Sequence, residues 1–323
     1  MCPLLLVAAV SGQGLYQPDL PGTATITVHQ PTPSQQDLTA TEAAAFGNNL
    51  ETLRDLLRAL PVFRSPKGMS IDGHWWADGT QSGAARGPAQ GGGTLWFYPA
   101  LVKPRAGGSR FRFEATVGVQ VHINKPTSGL ERYADEHFYE PTRKGEVNGL
   151  PIYRGELDCE LLPISRTGAV PWVPVTREEF IQASLAGWRK RLESDPQDTM
   201  SKQFVEHQQA ALAAMSADGR RAQARTQPQE DFYGPQLAPL GSSEGRPLVK
   251  AGSAWADPAA PRSAIQLVLM KFDYSADMDP SRPGPAFDGS ICPLRVWEVL
   301  HQSDWTAVRA AIAGARGRGG AGP

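Results

Sequence analysis

The sequence predicts an α+β protein: a mainly antiparallel sheet built from hairpins, about three or four packed helices, and long loops rich in glycine and proline. Three observations support this class. Several segments alternate apolar and polar residues and are separated by turn-forming stretches, as in hairpin strands. Other segments carry the spacing and the capping residues of amphipathic helices. Finally, the 323 residues include 33 glycines and 28 prolines, an excess that favours long loops.

The clearest strand pattern extends from Phe111 to Ile123, where odd-numbered residues are apolar and most even-numbered residues are polar. This period of two predicts a strand with one buried face and one face towards solvent. The preceding segment TLWFYPALV is predicted as its partner, and Pro99 within it favours an edge or bulged strand. GTATITVH, near the start of the chain, alternates in the same way, with Ile26 pointing inwards.

Two further strand regions are predicted in the second half of the chain. Residues 157–175, LDCELLPISRTGAVPWVPV, are typical of a hairpin with SRTG as its turn. SAIQLVLMKF (263–272) is predicted as a buried strand because it is almost continuously apolar.

Two helices are predicted from local signals. Thr39 and Glu42 form a possible capping box, and an apolar stripe that ends at Pro61 follows them. Thr176 and Glu179 form another capping box. The apolar residues of the two helices are Phe46, Leu50, Leu53, Leu57 and Leu60 in the first and Ile181, Leu185, Trp188 and Leu192 in the second. A polar third helix is expected at about 201–225, and a short one begins after Ser303 or Asp304.

The domain organisation is predicted as one α+β domain, residues 15–314, with a long loop at 228–262. Residues 1–14 are interpreted as a clipped signal peptide, with a buried first strand as the alternative, and residues 315–323 as a disordered tail. The signal-peptide interpretation predicts export to the periplasm or beyond, in a bacterial envelope. No segment has the 18 or so uninterrupted apolar residues of a transmembrane helix.

The partners and cofactors are constrained mainly by what the chain lacks. A formal net charge of −1 gives no global electrostatic argument for binding nucleic acid. No HExxH or Walker A motif occurs, and we expect no cofactor. An envelope component or a small ligand is the expected partner.

Cys159 and Cys292 are the cysteines that remain if Cys2 belongs to a signal peptide. In an exported protein they could form a disulfide, and the alternative is two buried free thiols. A nucleophilic role for Cys159 is not favoured, because it shares the apolar face of its predicted strand with Leu157 and Leu161.

The candidate site lies in MSIDGHWWADGTQSGAARGPAQGGG (69–93). Asp72, His74 and Asp78 could supply acid–base chemistry, and Trp75 and Trp76 could stack on a sugar ring or an apolar ligand. The alternative is structural: the two Asp-Gly pairs are typical of turns, with HWWA as a short strand that buries one tryptophan.

Two histidines outside this segment complete the set of candidate catalytic residues. His122 falls on the polar face of the long strand, and His137 lies within YADEHFYEP. A metal site assembled from His74, His122 and His137 is a further hypothesis.

Overall, the sequence favours an exported, non-catalytic binding or envelope-associated protein that uses the polar face of the sheet and the long loops. The alternative is a hydrolase of envelope carbohydrate or peptide that uses Asp72, His74, His122 or His137. A third possibility is a structural partner in a secreted complex.

Overall fold

The computed structural model describes residues 15–16, 19–34, 37–78, 87–99, 101–103, 110–112, 117–273 and 291–314. The predicted signal peptide (1–14) and tail (315–323) lie outside these residues. The chain divides into two compact units, whereas the sequence predicted one domain. The first unit comprises 1–128, 143–169 and 255–323, and the second comprises 129–142 and 170–254.

The elements of the described residues are as follows. The strands are β1 (Leu15–Tyr16), β2 (Ala24–Val28), β3 (Met69–Ala77), β4 (Gly91–Pro99), β5 (Leu101–Lys103), β6 (Arg110–Arg112), β7 (Val117–Ile123), β8 (Arg132–Ala134), β9 (His137–Tyr139), β10 (Thr142–Val147), β11 (Leu150–Arg154), β12 (Glu160–Ser165), β13 (Trp172–Pro174), β14 (Arg225–Thr226), β15 (Arg246–Ala251) and β16 (Leu267–Phe272). The helices are α1 (Ala40–Ala59), α2 (Pro61–Arg64), α3 (Arg177–Ser194), α4 (Thr199–Ala214), α5 (Ala217–Arg221), α6 (Ile291–Gln302) and α7 (Thr306–Gly314).

The first unit is built on an eight-stranded sheet with the order β10-β11-β12-β16-β7-β4-β3-β2. One face of this sheet packs against α1, α6 and α7 in a single apolar core. The predicted stripe of α1 is buried in that core, and Thr39 forms the predicted capping box with Glu42. The alternation predicted over 111–123 is confirmed within β7, since Val119, Val121 and Ile123 are fully buried. A small sheet, β1-β5-β6, also belongs to this unit.

The α+β class is confirmed, but the sheet and the helix number differ from the prediction. β2 runs parallel to β3, so the principal sheet is mixed rather than purely antiparallel. The chain passes through α1 between these two strands, and a parallel pair requires such a long crossover. The described residues form seven helices rather than three or four. α2 and α5 are too short to show a periodic pattern in the sequence, and α6 was not predicted.

The second unit combines a small sheet, β13-β15-β9-β8 with β14 paired to β15, and the helices α3, α4 and α5. Its core contains Ile181 and Leu185 of α3, and the predicted capping box at Thr176 is present. The predicted polar helix is divided into α4 and α5, since Ser216 accepts a hydrogen bond from the Gly219 amide and begins a new helix. The predicted loop at 228–262 contains the strand β15.

Two strand predictions are wrong. The hairpin over 157–175 does not form, because β12 pairs with β11 and β16, while β13 pairs with β15. Leu157 is 93% exposed and has a positive φ of 51°, so it does not share the buried face of Cys159. β4 is an interior strand between β7 and β3, since Pro99 is its last residue and interrupts no pairing within it.

None of the helices in the described ranges combines the length and apolarity needed to cross a bilayer.

Candidate functional site

β3 places the predicted site residues on alternate faces of the sheet. Trp75 is fully buried in the core, whereas Asp72, His74 and Trp76 lie on the opposite face. The ring of Trp75 rests on Gly93, where a Cβ would lie only 2.0 Å from its Cδ1. Trp75 is therefore a core residue and not the predicted stacking residue, because the sheet, rather than a ligand, covers its ring.

Asp72 and Gly73 lie in the middle of β3 and do not form the predicted turn. Gly73 faces the core, where a Cβ would come within 2.6 Å of Cδ2 of Leu95 on β4. The glycine is thus required by a close approach between neighbouring strands. The second Asp-Gly pair cannot be compared with its prediction, since Gly79 lies outside the described residues.

The exposed face of β2, β3 and β4 carries two tryptophans. We call it the tryptophan face and define it as Thr25, Thr27, Asp72, His74, Trp76, Thr94 and Trp96. Trp76 is 40% exposed and Trp96 is 42% exposed. Trp76 pairs with Gly92 and Trp96 pairs with Asp72, so the two indoles stand four residues apart along the ladder, or about 13 Å.

Polar residues occupy the space between the two rings. His74 pairs with Thr94, midway between the tryptophans. Gly118 on the neighbouring strand leaves room for one indole, since a Cβ there would lie 3.3 Å from Cζ3 of Trp96. The face therefore presents two separate aromatic surfaces with hydrogen-bonding groups between them.

A row of three titratable side chains crosses the tryptophan face at its edge. Nε2 of His29 lies 3.4 Å from Nδ1 of His74, and Nε2 of His74 lies 3.8 Å from Oδ2 of Asp72. The two histidine rings are stacked at an angle of 22°, with their centroids 5.6 Å apart. The contact with Asp72 is too long for a hydrogen bond.

His122 lies on the same side of the sheet but apart from His74. It stands on β7 opposite Gly92, two strands and two residues from His74, which places their backbones about 12 Å apart. His122 is half-buried, and its Nε2 has no hydrogen-bond partner among the described residues. Burial, with Lys125 and Lys271 nearby, lowers the pKa of His122 to about 4.

Asp78 is engaged by an ion pair with Lys125, whose ammonium group contacts its carboxylate. Both side chains are largely shielded from solvent. An extended strand places Asp78 about 20 Å from Asp72, far beyond the separation of about 5–9.5 Å between the two carboxylates of a glycosidase.

His137 belongs to the second unit, on β9, where its ring lies 6.0 Å from that of Phe180. Burial, with Lys250 nearby, lowers its pKa. Within the described residues, no group of three or more His, Cys, Asp or Glu side chains is arranged to hold a metal ion.

Cys159 is a buried free cysteine, and burial raises the pKa of its thiol to about 12. The side chain of Cys292 lies outside the described residues, so the structure does not show the predicted disulfide.

The sequence prediction missed two features. Trp96 belongs to the tryptophan face and was detectable as the exposed member between the buried Leu95 and Phe97. In the second unit, Nδ1 of His207 lies 3.0 Å from Asp231, and this hydrogen bond lowers the pKa of the carboxyl.

The His207–Asp231 pair belongs to a structured loop beside an open depression of about 600 Å³. Oδ1 of Asp231 also accepts a hydrogen bond from the amide of Tyr233, which closes a turn around the 65% exposed Phe232. The pair therefore fastens this loop to α4. The segment DFYG, in which an aspartate precedes two aromatic residues, was the signal in the sequence that could have indicated this structured loop.

The chain was compared with protein-family models, with curated proteins and with solved structures, and no match was found in any of the three. The function is therefore argued from the geometry of the side chains.

Proposed function

We propose that this protein is a non-catalytic binding protein that recognises carbohydrate of the cell envelope on the tryptophan face. One observation carries the proposal: Trp76 and Trp96 are both about 40% exposed on one face of a rigid sheet, with polar residues between them. Large aromatic side chains are normally buried, so two exposed indoles on neighbouring interior strands are consistent with a ligand-binding surface.

Carbohydrate fits this face better than an apolar protein surface does. A sugar ring has an apolar C–H side, which packs on an indole, and hydroxyl groups around its edge, which need hydrogen-bond partners. His74 and Thr94 offer such partners between the two rings, and Asp72 offers one beside Trp96. A protein-binding patch would instead be expected to have a contiguous apolar centre.

The rigid position of the tryptophans also favours binding. β3 and β4 pair over nine residues, and the opposite face of both strands is packed in the core. Little side-chain or loop ordering would therefore oppose association, because the aromatic surfaces are held in place before the ligand arrives.

The test is isothermal titration calorimetry with chitotetraose and with soluble peptidoglycan fragments. Trp76→Ala and Trp96→Ala are each expected to weaken binding about tenfold, the loss that corresponds to roughly 1.4 kcal/mol of stacking. Phe232→Ala is the matched control, since it removes an exposed aromatic side chain from the second unit. Absence of saturable binding to both probes, or equal weakening in the control, would refute the proposal.

A hydrolase of envelope carbohydrate is the second candidate, and the row formed by Asp72, His74 and His29 is the observation that favours it. The long His74–Asp72 contact and the absence of a second carboxylate at glycosidase spacing on β3 make it the weaker candidate. Release of reducing ends from the same oligosaccharides, abolished by Asp72→Asn, would replace the binding proposal with this one.

The envelope location is part of the proposal and rests on the predicted signal peptide at 1–14. Cell fractionation of the full-length chain tests it, with replacement of Leu5 and Leu6 by Arg as the comparison. Export is expected for the natural chain and retention in the cytoplasm for the variant, because the charges interrupt the apolar run.

A further inference from the structure

We infer that an open depression in the first unit, between the turn after β12 and the first turns of α7, is a binding site for a phosphate group. The depression has a volume of about 660 Å³. Arg166, Thr167 and Gly168 line one side of it, and Thr306, Arg309 and Ala310 line the other. This site is independent of the tryptophan face and of the function proposed for it.

The two arginines carry the inference because no described residue compensates their charge. Neither Arg166 nor Arg309 has a side-chain partner among the described residues, and none of the described residues that line the depression is a carboxylate. Some other arginines of the chain are paired, as Arg154 is with Asp158 and Arg246 is with Glu131. Two arginines that line one depression give it positive charge, and an anion bound between them would be attracted to both.

Both arginines are presented by fixed backbone. Arg166 directly follows β12, and its amide donates to the carbonyl of Gln266. The turn after it is closed by a hydrogen bond from the Gly168 amide to the Ser165 carbonyl, with Gly168 at a positive φ of 78°. Ser165 Oγ further donates to the carbonyl of Ala169 at 2.7 Å.

The second arginine is held by α7. This helix packs Val308 and Ile312 into the core, together with Trp305 directly before it. Its N-terminus is not the basis of the site, because Asp304 already accepts a hydrogen bond from the Thr306 amide. The site depends on the two arginines that line the depression, one from the turn and one from the helix.

Phosphate is the anion that this arrangement fits best. A carboxylate has two oxygens and is satisfied by one guanidinium fork, whereas the three terminal oxygens of a phosphate monoester can accept from two forks at once. Its charge of nearly −2 matches two arginines. The volume lies within the range of about 300–1,000 Å³ that is typical of sites for small molecules, so the phosphate can be free or can belong to a small monoester.

The test is calorimetry on the full-length protein with three probes: inorganic phosphate, ribose 5-phosphate and acetate. We expect saturable binding of phosphate compounds and at least about tenfold weaker binding of acetate, since acetate engages a single fork. Tighter binding of ribose 5-phosphate identifies a monoester as the ligand, and equal binding identifies free phosphate; both results support the site. Absence of saturable binding by either phosphate compound overturns it.

Substitutions locate the binding. Arg166→Gln and Arg309→Gln are each expected to weaken it about tenfold, through loss of charge-assisted hydrogen bonds. Arg189→Gln, in the second unit, is the matched control because Arg189 is exposed and likewise has no partner among the described residues. An equal loss in the control would show a general effect of net charge and would overturn the inference.

Chemical-shift changes in the unsubstituted protein keep the inference testable if a variant fails to fold. Phosphate is expected to shift the amide resonances of residues 166–168 and 306–310. Saturable binding that leaves these resonances unmoved would place the anion elsewhere and would overturn the inference.

Discussion

Lowering the pH from 7 to 5 is expected to destabilise the first unit through His122. This imidazole is half-buried on β7, where Lys125 and Lys271 lie near it and Asp78 and Glu156 oppose them only in part. Burial is the largest cause of the lowered pKa, which is about 4 in the folded protein. In the unfolded chain the same group has a pKa near 6.5.

The direction follows from which state binds the proton. Between pH 6.5 and pH 4 the unfolded chain binds a proton at His122 and the folded chain does not, so the free energy of unfolding falls as the pH falls. One pKa unit corresponds to about 1.4 kcal/mol, so the loss between pH 7 and pH 5 is about 2 kcal/mol. It approaches roughly 3 kcal/mol at pH 4, where folded His122 begins to be protonated.

The assay is urea denaturation of the natural protein and of His122→Gln at several pH values from 7 to 5. The variant lacks the titrating group and should lose about 2 kcal/mol less over this range. The pH range ends at 5 because carboxyl groups with lowered pKa values, such as Glu131 and Glu179, also stabilise the folded protein. Their contribution to the free energy of unfolding is lost at lower pH and would be added to that of His122. His137 is present in both proteins, so its contribution cancels.

His74→Gln is the control, because His74 is exposed and its replacement tests the loss of an imidazole as such. If the natural protein and His122→Gln lose the same stability between pH 7 and pH 5, the argument from the burial of His122 is refuted.

Three further predictions concern packing, capping and reactivity. Gly93→Ala places a Cβ 2.0 Å from Trp75 and should lower the free energy of unfolding by about 1–3 kcal/mol or more. Gly145→Ala is the control and should be nearly neutral, because a Cβ there would have no atom within 4 Å. Thermal unfolding compares the two variants, and equal effects would contradict the packing argument. Thr176→Ala removes the capping box of α3 and should cost about 1 kcal/mol in urea denaturation, with Thr176→Ser retaining most of the stability; a neutral alanine variant would show that the cap contributes nothing. The thiol of Cys159 is buried, and its pKa is raised to about 12, so iodoacetamide at pH 8 should alkylate it only after the protein unfolds. Peptide mass spectrometry measures the alkylation, and rapid labelling of the native protein would contradict this prediction.

The best sequence predictions came from signals that are complete within one segment. The helix α1 was predicted from Thr39, Glu42 and its apolar stripe, all of which lie within about six turns of helix. The same holds for α3. A capping box and a periodic stripe involve neighbours in the chain, so they need no knowledge of distant contacts.

Turns and strand pairing were less predictable for a related reason. The pair Asp72-Gly73 was interpreted as a turn, but Gly73 is needed because Leu95 on the next strand approaches it closely. A real turn at Asn148-Gly149, where both residues have positive φ and β10 meets β11, was missed although this dipeptide is typical of hairpins. The residue type alone does not reveal which contact a glycine serves.

The sequence by itself determined the α+β class, the long helices and the alternation that buries one of two adjacent tryptophans. Only the tertiary structure decided that the buried one is Trp75, because the register of β3 against β4 selects the face that meets the core. It also brought Trp76 and Trp96 to one face and Arg166 and Arg309 to one depression. A periodic pattern indicates which residues of a segment are buried. Contacts between residues distant in the chain depend on how the whole core packs, and a local pattern does not determine them.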